Sequence, residues 1–299
     1  MSNNYLLAKY NEKNSILSSI YINKEYLVRD EILHLLTQEY SLVLATSKED
    51  ILAVKKIRKE ILLSKYQNFA TIKDEELFLF NKDDEQSFIY LLRHNVTQTF
   101  VGTIRVFFVN ASTPIQELPM QKDGHVESIE SFTKNLPICE VSRLALSNTL
   151  PEYKDLSALR LRTYLTMGLM STIGINIFLY KYTNVFSIME PSLHRILTRQ
   201  GVNFRSIGEV VDYYGMRMPY AIEREKLIGE SENILGQLTL FYLKKLCQNS
   251  DKFWQFIENN PYLEYSDIQL DRICQLFEEH GDDVDIPLLL RDQKVDLTA

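Results

Sequence analysis

The sequence predicts an α+β (α/β) fold: a mixed β-sheet with helices on both faces and a helical C-terminal extension. Three observations predict it. Short segments rich in β-branched and aromatic residues alternate with amphipathic helical segments between residues 41 and 222. Two of those strands, 88–94 and 99–109, are separated only by a short polar turn and pair as a hairpin. From residue 223 the pattern turns helical, with a polar tail after about residue 279. The organisation read from this is a leader with a short helix over 1–40, a main domain over 41–222 and a helical extension over 223–299.

In chain order, residues 1–24 are polar with no apolar run of the kind a signal peptide needs. A short helix follows at 25–38 and a strand at 41–46. Ser47 with Asp50 three residues later forms a capping-box-like start to a helix. Apolar residues at Ile51, Leu52, Val54, Ile57, Ile61 and Leu62 continue that helix to about residue 66. Residues 67–87 read as an acidic loop before the hairpin. Gly102 inside the second hairpin strand marks a bulge or a close backbone approach. Residues 110–136, with two prolines and little periodicity, read as an insertion that serves as a lid or as a plain surface excursion. A strand at 138–147, a loop, a helix at 156–172 and a strand at 185–189 come next. Pro191 opens a helix that Gly201 closes. Two strands at 204–212 and 213–222 complete the sheet, and helices at 223–247, 251–258 and 266–279 complete the chain.

With 299 residues the chain can bury a substantial core, and its formal charge of −7 disfavours nucleic acid as a partner. The charge is uneven. Residues 151–220 hold eight Lys or Arg against five acids, a local +3, so the remainder sums to −10. A basic stretch in an acidic chain suits an anionic ligand or an acidic protein, although solvated helix faces also scatter charge this way. The cysteines are Cys139, Cys247 and Cys274, odd in number and without ligand spacing. They imply a reducing compartment, cytoplasmic by default, and no metal site. Residues 163–180 lack charge, but two glycines, Asn176 and several hydroxyls favour a buried helix over a transmembrane span.

The strand Ile138-Cys139-Glu140-Val141-Ser142-Arg143-Leu144-Ala145-Leu146-Ser147 stands out, because a core strand rarely carries both a carboxylate and a guanidinium. Strict alternation places Glu140 with Ser142, Leu144 and Leu146 on one face, and Arg143 with Val141 and Ala145 on the other. Both charges can serve one site only if the strand bulges, lies at an edge or splays from its neighbour. Arg105, in the preceding strand, is another charge in an apolar run. Arg58 rides the first long helix beside Lys55, Lys56 and Lys59, where a solvated role is as plausible as a functional one. Arg160 and Arg162 lie near the start of a helix, the end that favours a phosphate.

Glu140-Val141-Ser142-Arg143-Leu144-Ala145-Leu146-Ser147 resembles the Glu-x-Ser-Arg-Leu/Phe-Ala-Val motif of the autoinducer-synthase-like branch of GNAT acyltransferases. Asp84-Glu85-Gln86-Ser87 with Tyr90 to His94 and Val101-Gly102-Thr103-Ile104-Arg105 is similar to that branch's first block. Met189-Glu190-Pro191-Ser192-Leu193-His194-Arg195-Ile196-Leu197 and Tyr214-Gly215-Met216-Arg217-Met218-Pro219-Tyr220 are similar to its last. The likeness is greatest to N-acyl amino acid synthases and to PEP-CTERM/exosortase-associated acyltransferases. It implies a GNAT-like, splayed sheet and an N-acyltransferase. Glu140, Arg143 and Arg105 take the catalytic positions; Asp84, Arg58 and Ser142 bind substrate; Leu146, Ser147, Arg160 and Arg162 bind the acyl donor. No bound cofactor or metal is implied. The co-substrate is an acyl-phosphopantetheine thioester.

Two departures refine the expectation. Autoinducer synthases carry aromatic residues after the helix arginine where this chain has Leu62, which favours an amino acid or similar amine over an acyl-homoserine lactone product. Residues 147–156 contain no glycine, unlike the pyrophosphate loop of coenzyme-A-dependent relatives. That favours acyl carrier protein as donor and partner, with acyl-coenzyme A the alternative. A silent acyl-binding module is the competing class, and a structural ion-pair network is the competing role for the buried charges. Phe107, Phe186 and Tyr214 are candidate lining of an acyl channel, although core packing explains aromatics in strands equally well, and peripheral contact with a membrane is compatible with the tail.

Overall fold

A computed structural model describes residues 24–65, 79–109, 117–122, 137–181, 184–212, 215–228, 234–259, 268–285 and 287–289. The leader 1–23, the acidic stretch 66–78, most of the 110–136 insertion, Tyr214 and the tail beyond 289 lie outside the described residues.

The fold is a mixed α/β sheet flanked by helices. Helix α1 (Lys24–Glu39) leads into β1 (Tyr40–Leu44), and α2 (Lys48–Lys65) follows. The capping box at its start forms as read: the Asp50 N–H donates to Ser47 Oγ and the Ser47 N–H to Asp50 Oδ2. A short helix α3 (Lys82–Glu85) interrupts what the sequence reads as loop, and β2 (Ser87–His94) and β3 (Thr99–Val109) form the hairpin. Helix α4 (Pro119–Lys122), β4 (Ile138–Leu146), α5 (Ala158–Tyr180), β5 (Asn184–Met189) and α6 (Pro191–Arg199) come next. The expected strand at 204–212 is instead two fragments, β6 (Arg205–Ser206) and β7 (Val211–Asp212), both pairing with β8 (Met216–Glu223). Gly208 falls between them, where the pairing breaks. Helices α7 (Arg224–Ile228), α8 (Ile234–Cys247), α9 (Ser250–Glu258) and α10 (Leu270–His280) form the extension.

Sheet order is β1-β2-β3-β4-β5-β8-β6, with β7 beside β8. Neighbours are antiparallel except β4 and β5, which are parallel and linked through α5. Helix α5 runs eight residues past its expected end, and every residue from Tyr164 to Tyr180 is buried, so packing carries the helix through Gly174. It alone among the described helices is long and apolar enough to cross a membrane, yet 94% of its apolar window is buried inside the protein. It is a core helix. One hydrophobic cluster joins α1, the β2–β4 face and α5 to α8, α9 and α10, so the C-terminal helices share the main core.

Two glycines permit close approach. A Cβ on Gly102 would come within 2.7 Å of Leu146 Cδ2 and 2.9 Å of Leu169 Cδ1. In α5, a Cβ on Gly174 would overlap the Thr239 side chain of α8. Gly174→Ala is expected to destabilise by about 1–3 kcal/mol despite the better helix propensity of Ala. Urea unfolding checks this; an unchanged midpoint would mean α8 shifts freely.

Candidate active site

The site grows from a fault in β4. Arg143 adopts φ +54°, a left-handed conformation that is costly for a residue with a Cβ. There the β3–β4 register slips by one: Thr103 pairs with Ala145 but Arg105 pairs with Ser142. This is a β-bulge, with an extra residue in β4. Its consequence is a change of phase. Cys139, Val141, Leu144 and Leu146 face the main core, while Ala145 joins the smaller cluster under α2 on the other side of the sheet. Strict alternation therefore fails for Leu144 and Leu146, which do not share the face of Glu140. Arg143 turns instead towards the charged residues beside Glu140.

On its other edge β4 pairs with β5 only as far as Glu140 and Phe186. Past that point β4 stays with β3 and β5 with β8, so the two strands part. The Ser187 hydroxyl donates to the Val141 carbonyl at 2.8 Å where the gap begins.

Five charged groups meet at this fault. Asp84 is placed by the α3 capping box, in which Asn81 Oδ1 accepts the Asp84 N–H and Asp84 Oδ2 accepts the Asn81 N–H. Its Oδ1 lies 3.0 Å from Arg58 Nη1 and 3.6 Å from Arg105 Nη1, and its Oδ2 lies 3.8 Å from Arg143 Nε. Arg58 is buried, not solvated, and also donates to the Leu79 carbonyl at 2.7 Å. Arg105 donates to Ser142 Oγ from Nε and Nη2, at 3.1 and 3.0 Å, and its Nη2 stands 3.9 Å from Glu140 Oε1. The other Glu140 oxygen accepts the Met120 backbone N–H at 2.7 Å. Lys122, paired with Asp83 at 3.2 Å, fastens that same short segment to α3.

Environment separates the two carboxylates. Burial would raise Asp84, but Arg58, Arg105 and Arg143 outweigh it and hold the carboxyl below its ordinary range. For Glu140 burial prevails over Arg105, the Met120 amide and Ser142, so its pKa is raised. Burial pulls Arg58 down to about 9, still a cation at neutral pH. Three guanidiniums face two carboxylates, and Arg143, with 18% of its side chain exposed, is the most open of the five. A net positive cluster beside a raised carboxyl suits an anionic group and a proton acceptor side by side.

A cleft of about 390 Å3 opens onto the fault. Arg58, Arg105, Glu140, Ser142, Arg143, Leu146 and Arg162 line it, and Asp84 lies beneath. Met170, Ile188, Met189, Leu193, Ile196 and Leu197 make an apolar wall. Ser147 and Arg160 stand outside the lining: the Ser147 hydroxyl donates to Glu60, and Arg160 pairs with Glu31 and Tyr164. The Ser147 carbonyl accepts from Arg162 at 3.0 Å. Of the two readings open for Phe107 and Phe186, channel lining and core packing, the structure shows the second: both are fully buried in a separate core cluster. Burial pushes the Cys139 thiol well up, which removes it as a nucleophile. No described group of three or more His, Cys, Asp or Glu can hold a metal.

Sequence reasoning missed the Met120 amide and the wall from β5 and α6. A backbone donor in an aperiodic insertion leaves no residue-type signal. The bulge did leave one, in the spacing of Cys139, Val141, Leu144 and Leu146: two, three, two.

No protein-family model and no curated protein matches the chain. Solved structures do. FeeM, an N-acyl amino acid synthase from uncultured soil microbes, is 17% identical with a TM-score of 0.46, covering 64% of this chain and 93% of that one. The AHL synthase LasI is 14% identical with a TM-score of 0.43, covering 64% and 95%. BjaI, a CoA-dependent acyl-homoserine lactone synthase solved with SAM and isopentyl-CoA, is 17% identical with a TM-score of 0.43, covering 66% and 89%. The structural neighbours are thus an N-acyl amino acid synthase and autoinducer synthases, together with GNAT acetyltransferases.

Proposed function

We propose that the chain is an N-acyltransferase that moves a fatty acyl group directly from an acyl-pantetheine thioester to the amine of an amino acid or similar small amine. The observation that carries this reading is Glu140, a buried carboxyl of raised pKa at the point where β4 leaves β5, held between a backbone amide and Arg105. Glu140 takes the proton from the acceptor ammonium, directly or through water. The freed amine forms a bond to the thioester carbonyl carbon. Backbone groups of β4 beyond its pairing with β5 face the resulting oxyanion. Collapse breaks the C–S bond; the leaving pantetheine thiolate takes up the second proton, the one lost from the attacking nitrogen, which leaves amide and free thiol, and Glu140 returns its own proton to solvent.

The acceptor carboxylate meets Arg143, the most open guanidinium, while Arg105, Arg58 and Asp84 hold the charged floor and Ser142 bridges Arg105 to Glu140. The acyl chain lies along Met170, Ile188 and Leu193. Leu146 and Arg162 flank the donor thioester, Arg162 being steadied by the Ser147 carbonyl; Arg160 contributes only to the positive field of the mouth. Acyl carrier protein is the favoured donor, because residues 147–156 lack glycine and the stretch 151–220 carries +3. Residues 41–222 form the catalytic unit, with the described helices α7 to α10 of the extension bracing it through the shared core, and a reducing cytoplasm suits the free thiols.

Mass spectrometry of lipid extracts from cells expressing the chain tests the class. A new fatty-acyl amide is expected with wild type and none with Glu140→Gln. A product identical in both would remove Glu140 from the reaction. Dephospho-coenzyme A competition separates the donors: no inhibition is expected if the carrier protein supplies the acyl group. Arg143→Lys, which exchanges a planar fork for a point charge, is expected to raise the acceptor KM about tenfold with a smaller change in kcat. An unchanged KM would assign Arg143 to structure alone.

A further inference from the structure

A second cleft, of about 550 Å3, lies at the far edge of the sheet and shares no residue with the first. Strand β1 forms one side, and α8 and α9 form the other. Its floor is apolar and deep: Tyr90, Ile175, Tyr242 and Phe253 are all buried, and Leu42, Leu44 and Leu246 flank them half-buried. Three cations, Arg93, Lys245 and Lys252, line it against one acid, Asp50.

That acid is already engaged, since Asp50 Oδ2 accepts the backbone N–H groups of Thr46 and Ser47. None of the three cations forms an ion pair among the described residues. Arg93 alternates with Tyr90 and Leu92 along β2 and so lies on the α2 face of the sheet, as Asp50 does, whereas Lys245 and Lys252 stand on α8 and α9 beside the floor, Lys245 Nζ 5.8 Å over the Phe241 ring. At the bottom, Tyr90 accepts from Asn176 Nδ2 at 2.9 Å, while its own hydroxyl hydrogen meets no described acceptor. The cleft therefore joins a methylene-compatible floor to a net +2 lining with unused donors, at a volume within the range that holds a small ligand.

We infer that this cleft is a second binding site, for a single-chain anionic amphiphile whose alkyl chain lies on the Tyr90, Ile175, Tyr242 and Phe253 floor and whose carboxylate or phosphate meets Lys245 and Lys252. An extended peptide on the edge of β1, unpaired among the described strands, would read the backbone there but would leave the buried floor unfilled. The inference is independent of the transferase reading, because none of its residues belongs to the first cleft.

The test uses the full chain and a diazirine-bearing twelve-carbon fatty acid, with crosslinked peptides located by mass mapping. Labelling is expected on β1, α8 and α9, displaced by sodium dodecanoate and not by dodecylamine. In Lys245→Glu/Lys252→Glu, both exposed positions outside the catalytic cleft, dodecanoate is expected to bind roughly tenfold more weakly at this site. Labelling only beside Glu140, equal displacement by dodecylamine, or unchanged affinity in the double variant would each overturn the inference. Vesicles of phosphatidylglycerol separate a free amphiphile from a bilayer. No co-sedimentation is expected; co-sedimentation lost in the double variant, without dodecanoate labelling of the cleft, would replace the site by a membrane contact.

Discussion

Glu140→Gln is expected to fold as the wild type does and to lose roughly 10²- to 10⁴-fold in acyl-transfer rate, the range associated with removing a positioned general base. The change is nearly isosteric. The amide oxygen can still accept the Met120 N–H, so the contact that ties the 117–122 segment to β4 survives. What disappears is the capacity to take a proton from an ammonium. The pH profile gives an independent check with a definite sign. Because burial raises the Glu140 pKa, the base form is lost as pH falls at a higher value than for an ordinary glutamate. The acid limb of kcat/KM should lie at that raised value in wild type and vanish in whatever activity Glu140→Gln retains. Residual activity with an unshifted acid limb would show that another group carries the proton. Near-wild-type activity would reduce Glu140 to an anchor for Met120.

Local pattern made the scaffold legible. Ser47 and Asp50 start a helix by satisfying each other's backbone N–H groups, an arrangement that needs no tertiary context. Pro191 and Gly201 bound α6 for equally local reasons, and the 88–109 hairpin follows from two β-rich runs around a polar turn. The need for a fault in β4 was also readable, because Glu140 and Arg143 differ by an odd number of residues on a strand. Hidden were features set by contacts remote in sequence. The lysines around Arg58 leave a solvated and a functional role equally open, and Asp84, 26 positions later, is what draws it inside. Residues 82–85 gave too short a pattern to read as helix, although the capping box of α3 is what points Asp84 at the arginines. A left-handed arginine carries no composition signal, since glycine is the residue that ordinarily announces one. Strain of that kind persists where surrounding contacts fix it, and here the Asp84 pairing does so.

Asp84→Asn is accordingly expected to be the most destabilising single change in the site. The Asp84 side chain is fully buried, and Arg58 and Arg105 beside it are each only 4% exposed. Neutralising the one carboxylate they share with Arg143 leaves three guanidiniums facing one another. Removing one member of a buried pair costs about 3–5 kcal/mol, because the remaining charge has lost its compensation without regaining water. For a chain of this size that is a fall in Tm on the order of 10 °C, measurable by scanning calorimetry. Linkage fixes how the loss depends on pH. The folded-state pKa of Asp84 lies below its unfolded value, so its contribution is present above the unfolded value and is lost as pH falls through the folded one. The gap in Tm between wild type and Asp84→Asn should therefore be widest near neutral pH and close in acid. A gap that is absent at neutral pH would mean that the guanidiniums are compensated by other groups. Pairing Asp84→Asn with Arg58→Gln distinguishes the two roles of the residue: partial recovery of Tm is expected once one uncompensated cation is removed, without recovery of activity if the charged floor also orients Arg143 towards the acceptor.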